Sequence, residues 1–273
     1  YKRQDSQGNP ETMAGDDNRP ISDTAQRIMT ALFILPLLVI VWGGSWPLVG
    51  IALVMGGIML METLTISGVR LISPRGIALS VLVMAPTLLM LAGFVDTIVF
   101  LVVAASGLAM LSRSLVMALV IVFLMLTIHG TAVLALDEGG ISWMLMIALV
   151  VTAADSMAFF VGRRIGGPKL APSISPSKTW SGAIGGLLGG ALAGGIAGAV
   201  FGAPVLFMAL FGLIIADLSI GGDLLESFFK RAHGVKDSGK ILPGHGGILD
   251  RCDGYLLAVP AAHLALVMGW LHG

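Results

Sequence analysis

Ser227 to Asp253 reads S-F-F-K-R-A-H-G-V-K-D-S-G-K-I-L-P-G-H-G-G-I-L-D-R-C-D, with five Lys or Arg and three Asp in 27 residues. Such a segment is not made for packing between apolar neighbours. A second polar stretch, Gly162 to Trp180, holds Arg163, Arg164, Lys169 and Lys178 with hydroxyls at Ser173, Ser175, Ser177 and Thr179. Its three prolines and Gly166-Gly167 exclude a continuous helix. Four cations and four hydroxyls suit an anionic phosphate, although a basic loop held by anionic lipid would have the same composition. The acids separate the two readings. Asp155 lies eight residues before Arg163, Asp217 and Asp223 follow a long apolar run, and Asp250 and Asp253 precede another. Carboxylates at membrane depth are costly and face a partner, a cavity or an ion. Hard oxygen ligands beside cations are what a Mg²⁺–phosphate site requires, and a metal accounts for both signs at once.

Other candidates are weaker. Glu62, within Met61-Glu62-Thr63, either contacts the site or pairs with Arg70 or Arg75. His129 and His263 sit alone in apolar runs and read as core or interface histidines. Cys252 is the single cysteine, so no intrachain disulfide forms, and no paired base marks it as a nucleophile. There is no G-x-x-x-x-G-K-[ST] loop and no G-x-S-x-G elbow. Nucleic acid is not an expected partner, because the basic residues are confined to membrane-adjacent loops.

The elements that must hold these residues are helices in a bilayer. The 273 residues are 56% hydrophobic and 12% charged, with a mean hydropathy of +0.94, against about 25% charged for soluble domains. Residues 1–26 form a polar tail; residues 27–150 read as N-terminal transmembrane helices and 151–273 as a catalytic transmembrane region with loops 163–180 and 220–253. The fold expected is all-α and polytopic. Apolar runs fall at 28–42, 47–65, 76–94, 95–111, 115–136, 141–162, 181–201, 203–219 and 254–271. With nine spans and the N-terminus inside, the inner segments hold all 16 Lys and Arg, while the outer links carry only Asp96, Asp137 and Glu138. That asymmetry is what the positive-inside rule demands, with the C-terminus outside. In the seventh run Gly182, Gly186, Gly190, Gly194 and Gly198 recur every four residues, a face for close helix packing and compatible with a homodimer.

The segment Ser227-x-x-Lys230-Arg231-x4-Lys236-Asp237-x-Gly239-x-x-Leu242-Pro243-Gly244-His245-Gly246-Gly247-x-Leu249-Asp250-Arg251-x-Asp253 resembles the signature of phosphatidate cytidylyltransferases, also called CDP-diacylglycerol synthases. Gly222-Asp223-Leu224-x-Glu226-Ser227 extends the likeness upstream. Asp155-Ser156-x-Ala158-Phe159-x-x-Gly162-Arg163, Lys169-Leu170-Ala171-Pro172 and Ile174-Ser175-Pro176-x-Lys178-Thr179-Trp180-x-Gly182 resemble a second region of that family. The resemblance covers about residues 154–260. It implies transfer of CMP from CTP to phosphatidic acid with Mg²⁺, at the cytoplasmic face of a bacterial inner membrane. It also implies Asp223 and Asp250 as metal ligands and catalytic groups, with Asp155, Asp237 and Asp253 as further ligands or supports; the carboxylate count admits a second cation. Lys230, Arg231, Lys236 and Arg251 would hold phosphates and the leaving pyrophosphate, with Lys178, Ser175, Ser177 and Thr179 on the facing wall. Gly244, Gly246 and Gly247 would bring backbone N–H groups to phosphate oxygens, and His245 would donate a hydrogen bond there. A cation-coupled transporter would instead need polar residues through the whole bilayer. A CDP-alcohol phosphatidyltransferase would need a D-G-x2-A-R pattern, which is absent.

Overall fold

In hydrocarbon a backbone can satisfy its N–H and C=O groups only within the segment itself, so each apolar run closes into a helix. The computed structural model describes residues 44–94, 97–239, 241–242 and 246–271. The tail 1–26, the expected first span 28–42, and Pro243, Gly244 and His245 lie outside the described residues. The helices are α1 (Ser45–Ile66), α2 (Pro74–Leu91), α3 (Thr97–Leu111), α4 (Leu115–Leu136), α5 (Gly140–Ile165), α6 (Trp180–Phe201), α7 (Val205–Ala232), the one-turn α8 (Leu249–Cys252) and α9 (Tyr255–Val267). Six of them, α1, α2, α4, α5, α6 and α7, are long and apolar enough to cross a membrane. The fourth and ninth expected spans correspond to shorter apolar helices, Leu101–Leu111 and Tyr255–Val267.

Two local expectations are corrected. The segment 163–180 is not wholly irregular: Lys169–Ala171 (β1) and Ser175–Thr179 (β2) form an antiparallel hairpin with Lys169 opposite Thr179 and Ala171 opposite Ser175. The fold is therefore mostly helical rather than all-α. Pro172 falls in the turn and Pro176 in a two-stranded ribbon, where a missing N–H is tolerated. The second correction concerns the loop expected from 220. Helix α7 runs on to Ala232, so Asp223, Glu226, Lys230 and Arg231 ride a continuous 28-residue helix. Leu, Glu, Lys and Arg favour helix there, and Lys230 and Arg231 in the last turn complement its dipole. Gly222 is tolerated because a Cβ at that position would strike the Asp253 carbonyl.

The glycine row of α6, and Gly185 and Gly189 beside it, pack within the chain. A Cβ at Gly186 would lie 3.0 Å from the Ala154 carbonyl on α5, and one at Gly190 would lie 2.9 Å from the Gly212 carbonyl on α7. Gly194 would meet Met208 and Gly212 on α7, while Gly185 and Gly189 would meet Val161 and Met157 on α5. Backbones thus approach closely along α5–α6–α7, the packing that small residues permit in lipid. The face read as compatible with a homodimer is occupied by the chain's own helices.

Two buried apolar clusters hold the bundle. One joins Val150, Ala193, Met208, Ile215 and Ala262 of the C-terminal helices with Leu48 and Ala132. The other joins Leu64, Leu79, Leu108 and Leu124 of α1 to α4 with Phe229 near the end of α7 and with Ile248, Leu249 and Leu256. The segment around Asp250 is therefore seated on the N-terminal helices.

Candidate active site

Helix α5 ends at Gly166, whose φ of 67° suits glycine. The chain turns there into the hairpin, and Thr179 ends β2 by capping α6: its Oγ1 accepts from Gly182 N–H at 3.1 Å. A Cβ at Gly162 would lie 3.3 Å from Gly182 Cα, so α5 and α6 touch backbone to backbone at the hairpin's root. Between α5, the hairpin and α7 lies a cleft of about 630 Å³ lined by Asp155, Phe159, Arg163, Lys169, Ser177, Lys178 and Asp223, among others. Lys178 forms an ion pair with Asp223 Oδ2, and the Ser227 hydroxyl donates to Asp223 Oδ1 at 3.3 Å. The alternation of a strand places Lys178 and Thr179 on opposite faces, one at the cleft's acid and the other on the helix cap.

Asp253 belongs electrostatically to the same group. Burial first, then the charges of Asp223 and Asp155, push its carboxyl up to about 7, against the Gly254 N–H and the Lys178 ammonium. The Gly254 N–H bond to Asp253 Oδ1 is 2.8 Å. Asp155, Asp223 and Asp253 thus share a region with Lys178 as the opposing charge. Among the described residues no three Asp, Glu, His or Cys side chains enclose a cation by themselves.

Asp250 lies outside that cleft and organises a second cluster. Its Oδ1 takes the Lys230 ammonium at 2.6 Å, while Oδ2 accepts from the Ser238 and Gly247 N–H groups, each at 2.8 Å. Burial opposes its charge, but Lys230 and the two backbone donors outweigh it and hold the carboxyl at about 2. Lys230 also pairs with Glu226 Oε2 at 2.7 Å, and the Glu226 side chain is wholly buried. The Lys230 ammonium is therefore directed at two carboxylates.

The sequence-selected residues divide accordingly. Asp155, Asp223, Ser177, Lys178 and Thr179 line the cleft, with Thr179 also serving as a helix cap. Arg231 spans to the hairpin, donating to the Ile174 carbonyl at 3.4 Å and to the Val235 carbonyl at 3.1 Å. Ser175 pairs with Ala171 at the hairpin's turn end. Lys236, Asp237 and Arg251 are exposed. Gly247 gives its N–H to Asp250, and Gly246, at φ 81°, sits against the same carboxylate. These two glycines let the chain wrap Asp250, whereas the reading from sequence had them approach phosphate. Gly244 and His245 lie outside the described residues. Asp217 is exposed and does not line the cleft. His129 is buried and its ring meets that of His263 at 5.4 Å.

Two further acids, Glu226 and Glu62, belong to the second cluster and the segment around it. Glu226 stands four residues before Lys230, a spacing that signals a helical ion pair once the helix is known to continue. Glu62 is buried on α1 and accepts from Ser238 Oγ at 3.1 Å, Ile248 N–H at 3.0 Å and Leu249 N–H at 2.8 Å. The alternative pairing with Arg75 does not form, since Arg75 Nε donates to the Leu111 carbonyl at 2.7 Å.

Fold and site together define a multi-pass helical membrane protein with a cleft of mixed charge at one end of its bundle. A family model described as "Cytidylyltransferase family" matches residues 25–268. The chain belongs to that family. A phosphatidate cytidylyltransferase of Bacillus subtilis is 33% identical over 135 residues, 49% of this chain and 50% of the relative. One of Brucella abortus is 35% identical over 126 residues, covering 46% and 47%. One of Helicobacter pylori is 37% identical over 130 residues, 48% of each chain. The chain spans about half the length of the curated relatives it matches.

Proposed function

We propose that this chain transfers CMP from CTP to phosphatidic acid, releasing pyrophosphate and leaving CDP-diacylglycerol in the membrane. The observation that carries the reading is the cleft itself. Asp155, Asp223, Arg163, Lys169 and Lys178 share it with the apolar Phe159, Leu170 and Ile220, at the end of membrane-length helices. Such a cleft suits a reactant with a phosphate head and an apolar body, as phosphatidic acid has. The names of the bacterial relatives point the same way.

In the reaction a phosphate-monoester oxygen of the lipid attacks the α-phosphorus of CTP. The bond from that phosphorus to the oxygen bridging to the β-phosphorus breaks, and its electrons leave with pyrophosphate. The monoester's second pKa is near 6, so the nucleophile is largely ionised at neutral pH and needs no strong base. The residues are then required for positioning and for holding negative charge. Lys178, Lys169 and Arg163 would hold phosphate oxygens on the hairpin side of the cleft, and Ser177 would donate a hydrogen bond there.

The donor set fits Mg²⁺. Three acids, Asp155, Asp223 and Asp253, repel one another around one ammonium, and that excess of hard oxygen charge is what a divalent cation relieves. Mg²⁺ binds through one or two carboxylates plus substrate phosphates rather than in an all-protein cage, so two acids of the cleft would suffice beside the nucleotide. Asp223 and Asp155 would hold it, with Asp253 beside them; when bound, it supplies charge neutralisation for the triphosphate. Asp250 is the less suited of the two acids first assigned to the metal, because Lys230 and two backbone donors already engage it.

The reading includes nine spans with the N-terminus in the cytoplasm and the cleft facing it, in a bacterial inner membrane. It is supported by the distribution of all 16 Lys and Arg to one side of that topology. The test is incorporation of labelled CMP from CTP into lipid by the purified chain, with EDTA and with Asp223→Asn. Loss of transfer in both is expected. Wild-type rates in Asp223→Asn, or full activity in EDTA, would remove the metal-assisted reading.

A further inference from the structure

We infer that Glu62 is a positioning residue: it is the peg on which Ser238 and the turn Gly247–Asp250 are hung. Its carboxylate comes from α1, far away in sequence, and enters the turn of the segment that carries Asp250. Three donors converge on it: the Ser238 hydroxyl at 3.1 Å, Ile248 N–H at 3.0 Å and Leu249 N–H at 2.8 Å. All three neighbours donate, which suits an ionised carboxylate, an acceptor with no proton to give.

Two glycines make room for it. A Cβ at Gly239 would lie 2.6 Å from Glu62 Oε1, and one at Gly247 would strike both Glu62 and the Ser238 hydroxyl. The chain passes on either side of the carboxylate without side chains. Asp250 completes the arrangement from within the segment, since its Oδ2 accepts from Ser238 N–H and Gly247 N–H. Ser238 therefore donates twice, by its hydroxyl to Glu62 and by its backbone to Asp250. Ile248 and Leu249 bury their side chains in the apolar cluster of α1 to α4 beside this point. The geometry of the segment is thus set by the N-terminal helices, through one buried acid.

Glu62 does not line the cleft, so its effect on transfer would pass through placement of Asp250, Lys230 and Asp253. That kinetic arm rests on the proposed function; the structural arm does not. Cys252, the chain's only cysteine, follows Asp250 by two residues and reports the docking directly. Cys252 is partly buried and packs against the apolar cluster of α1 to α4, so release of the segment exposes its thiol.

The experiment uses the purified full chain in detergent or nanodiscs, wild type against Glu62→Gln and Ser238→Ala. Modification of Cys252 by a maleimide, helical circular dichroism, and kcat and KM for CTP are measured together. Glu62→Gln loses hydrogen bonds to a charged acceptor and is expected to label at least about 10-fold faster. Its kcat should fall about 100-fold, the cost of misplacing reacting groups by about 1 Å, with KM within about 3-fold and helical content unchanged. Ser238→Ala removes one donor and strands no charge, and about 3- to 10-fold faster labelling is expected; it decides the matter if Glu62→Gln does not fold. Wild-type labelling in whichever variant folds overturns the inference. So does a loss of kcat that only follows loss of folded protein. If the wild type transfers no CMP, the proposed function fails, while the labelling rates still judge the role of Glu62.

Discussion

Lys230 gives the sharpest test of how the second cluster works, because the sequence alone placed it on a phosphate and the structure places it between two acids. Its Nζ lies 2.6 Å from Asp250 Oδ1 and 2.7 Å from Glu226 Oε2, with side-chain exposures of 11%, 9% and 0% for Lys230, Asp250 and Glu226. Lys230→Met keeps most of the aliphatic stem and removes the ammonium. Asp250 would retain the Ser238 and Gly247 donors; Glu226 would lose its only ion-pair partner among the described residues. Breaking a buried pair by removing one member costs about 3–5 kcal/mol. At roughly 2–4 °C for each kcal/mol in a chain of this size, the midpoint of thermal unfolding should fall by about 6–20 °C. The assay is thermal unfolding in detergent followed by circular dichroism, together with the double variant Lys230→Met/Glu226→Gln. Neutralising the stranded acid should recover part of the loss, and the cycle isolates the coupling between the two residues. A midpoint within about 2 °C of wild type would mean that the ammonium is solvated and the cluster contributes nothing. A raised KM for CTP with unchanged stability would return Lys230 to the phosphate.

Asp253→Asn should separate stability from catalysis. The carboxyl sits at about 7 against an ordinary 3.8, so the folded state keeps a proton that the unfolded chain has lost, and wild-type stability declines as pH rises through that window. The variant should therefore be the more stable at pH 8, by about 2–4 °C for each kcal/mol of burial cost and repulsion relieved, with no gain below pH 4 and with slower transfer; equal midpoints at pH 8 would contradict a carboxyl held up by burial and its acidic neighbours. Lys178→Met removes the ammonium paired with Asp223 in the cleft and should lower kcat/KM by about 10- to 100-fold with little change in melting, since the pair is partly exposed. Gly194→Val must push Met208 and Gly212 apart and should cost about 1–3 kcal/mol or more in thermal unfolding; an unchanged midpoint would deny the close packing of α6 on α7.

The membrane helices were legible because the bilayer imposes length and polarity on each run, and the acid-and-base content of the two polar stretches marked where chemistry could lie. Helix α7 overran its expected end because the apolar signal stops near Leu218 while helix propensity continues to Ala232. Hydropathy reports the membrane, not the helix. The hairpin was missed because Pro172 and Pro176 deny a helix without specifying a ribbon. The sequence leaves Glu62 open between a site contact and an arginine pair, because its partners lie 176 to 187 residues away. No local pattern can carry a contact of that range.

The charges of the site explain why it needs two clusters rather than one. Asp155 and Asp223 line the cleft and Asp253 shares Lys178 with them as the opposing charge; burial first, then the charges of Asp223 and Asp155, lift Asp253 to about 7, which leaves a demand for cations. In the second cluster Asp250 is held at about 2 by an ammonium and two backbone donors, so its demand is met from within the chain. A carboxylate so engaged has little to gain from a metal, and one so repelled has much. The first set keeps an unmet demand for positive charge, whereas in the second that demand is met within the chain. They meet where the Gly222 backbone of α7 packs on the Asp253 carbonyl, three residues after Asp250. The bonds that hold Asp250 therefore also bear on where Asp253 stands beside the cleft, so a change at the buried ion pair should be felt there.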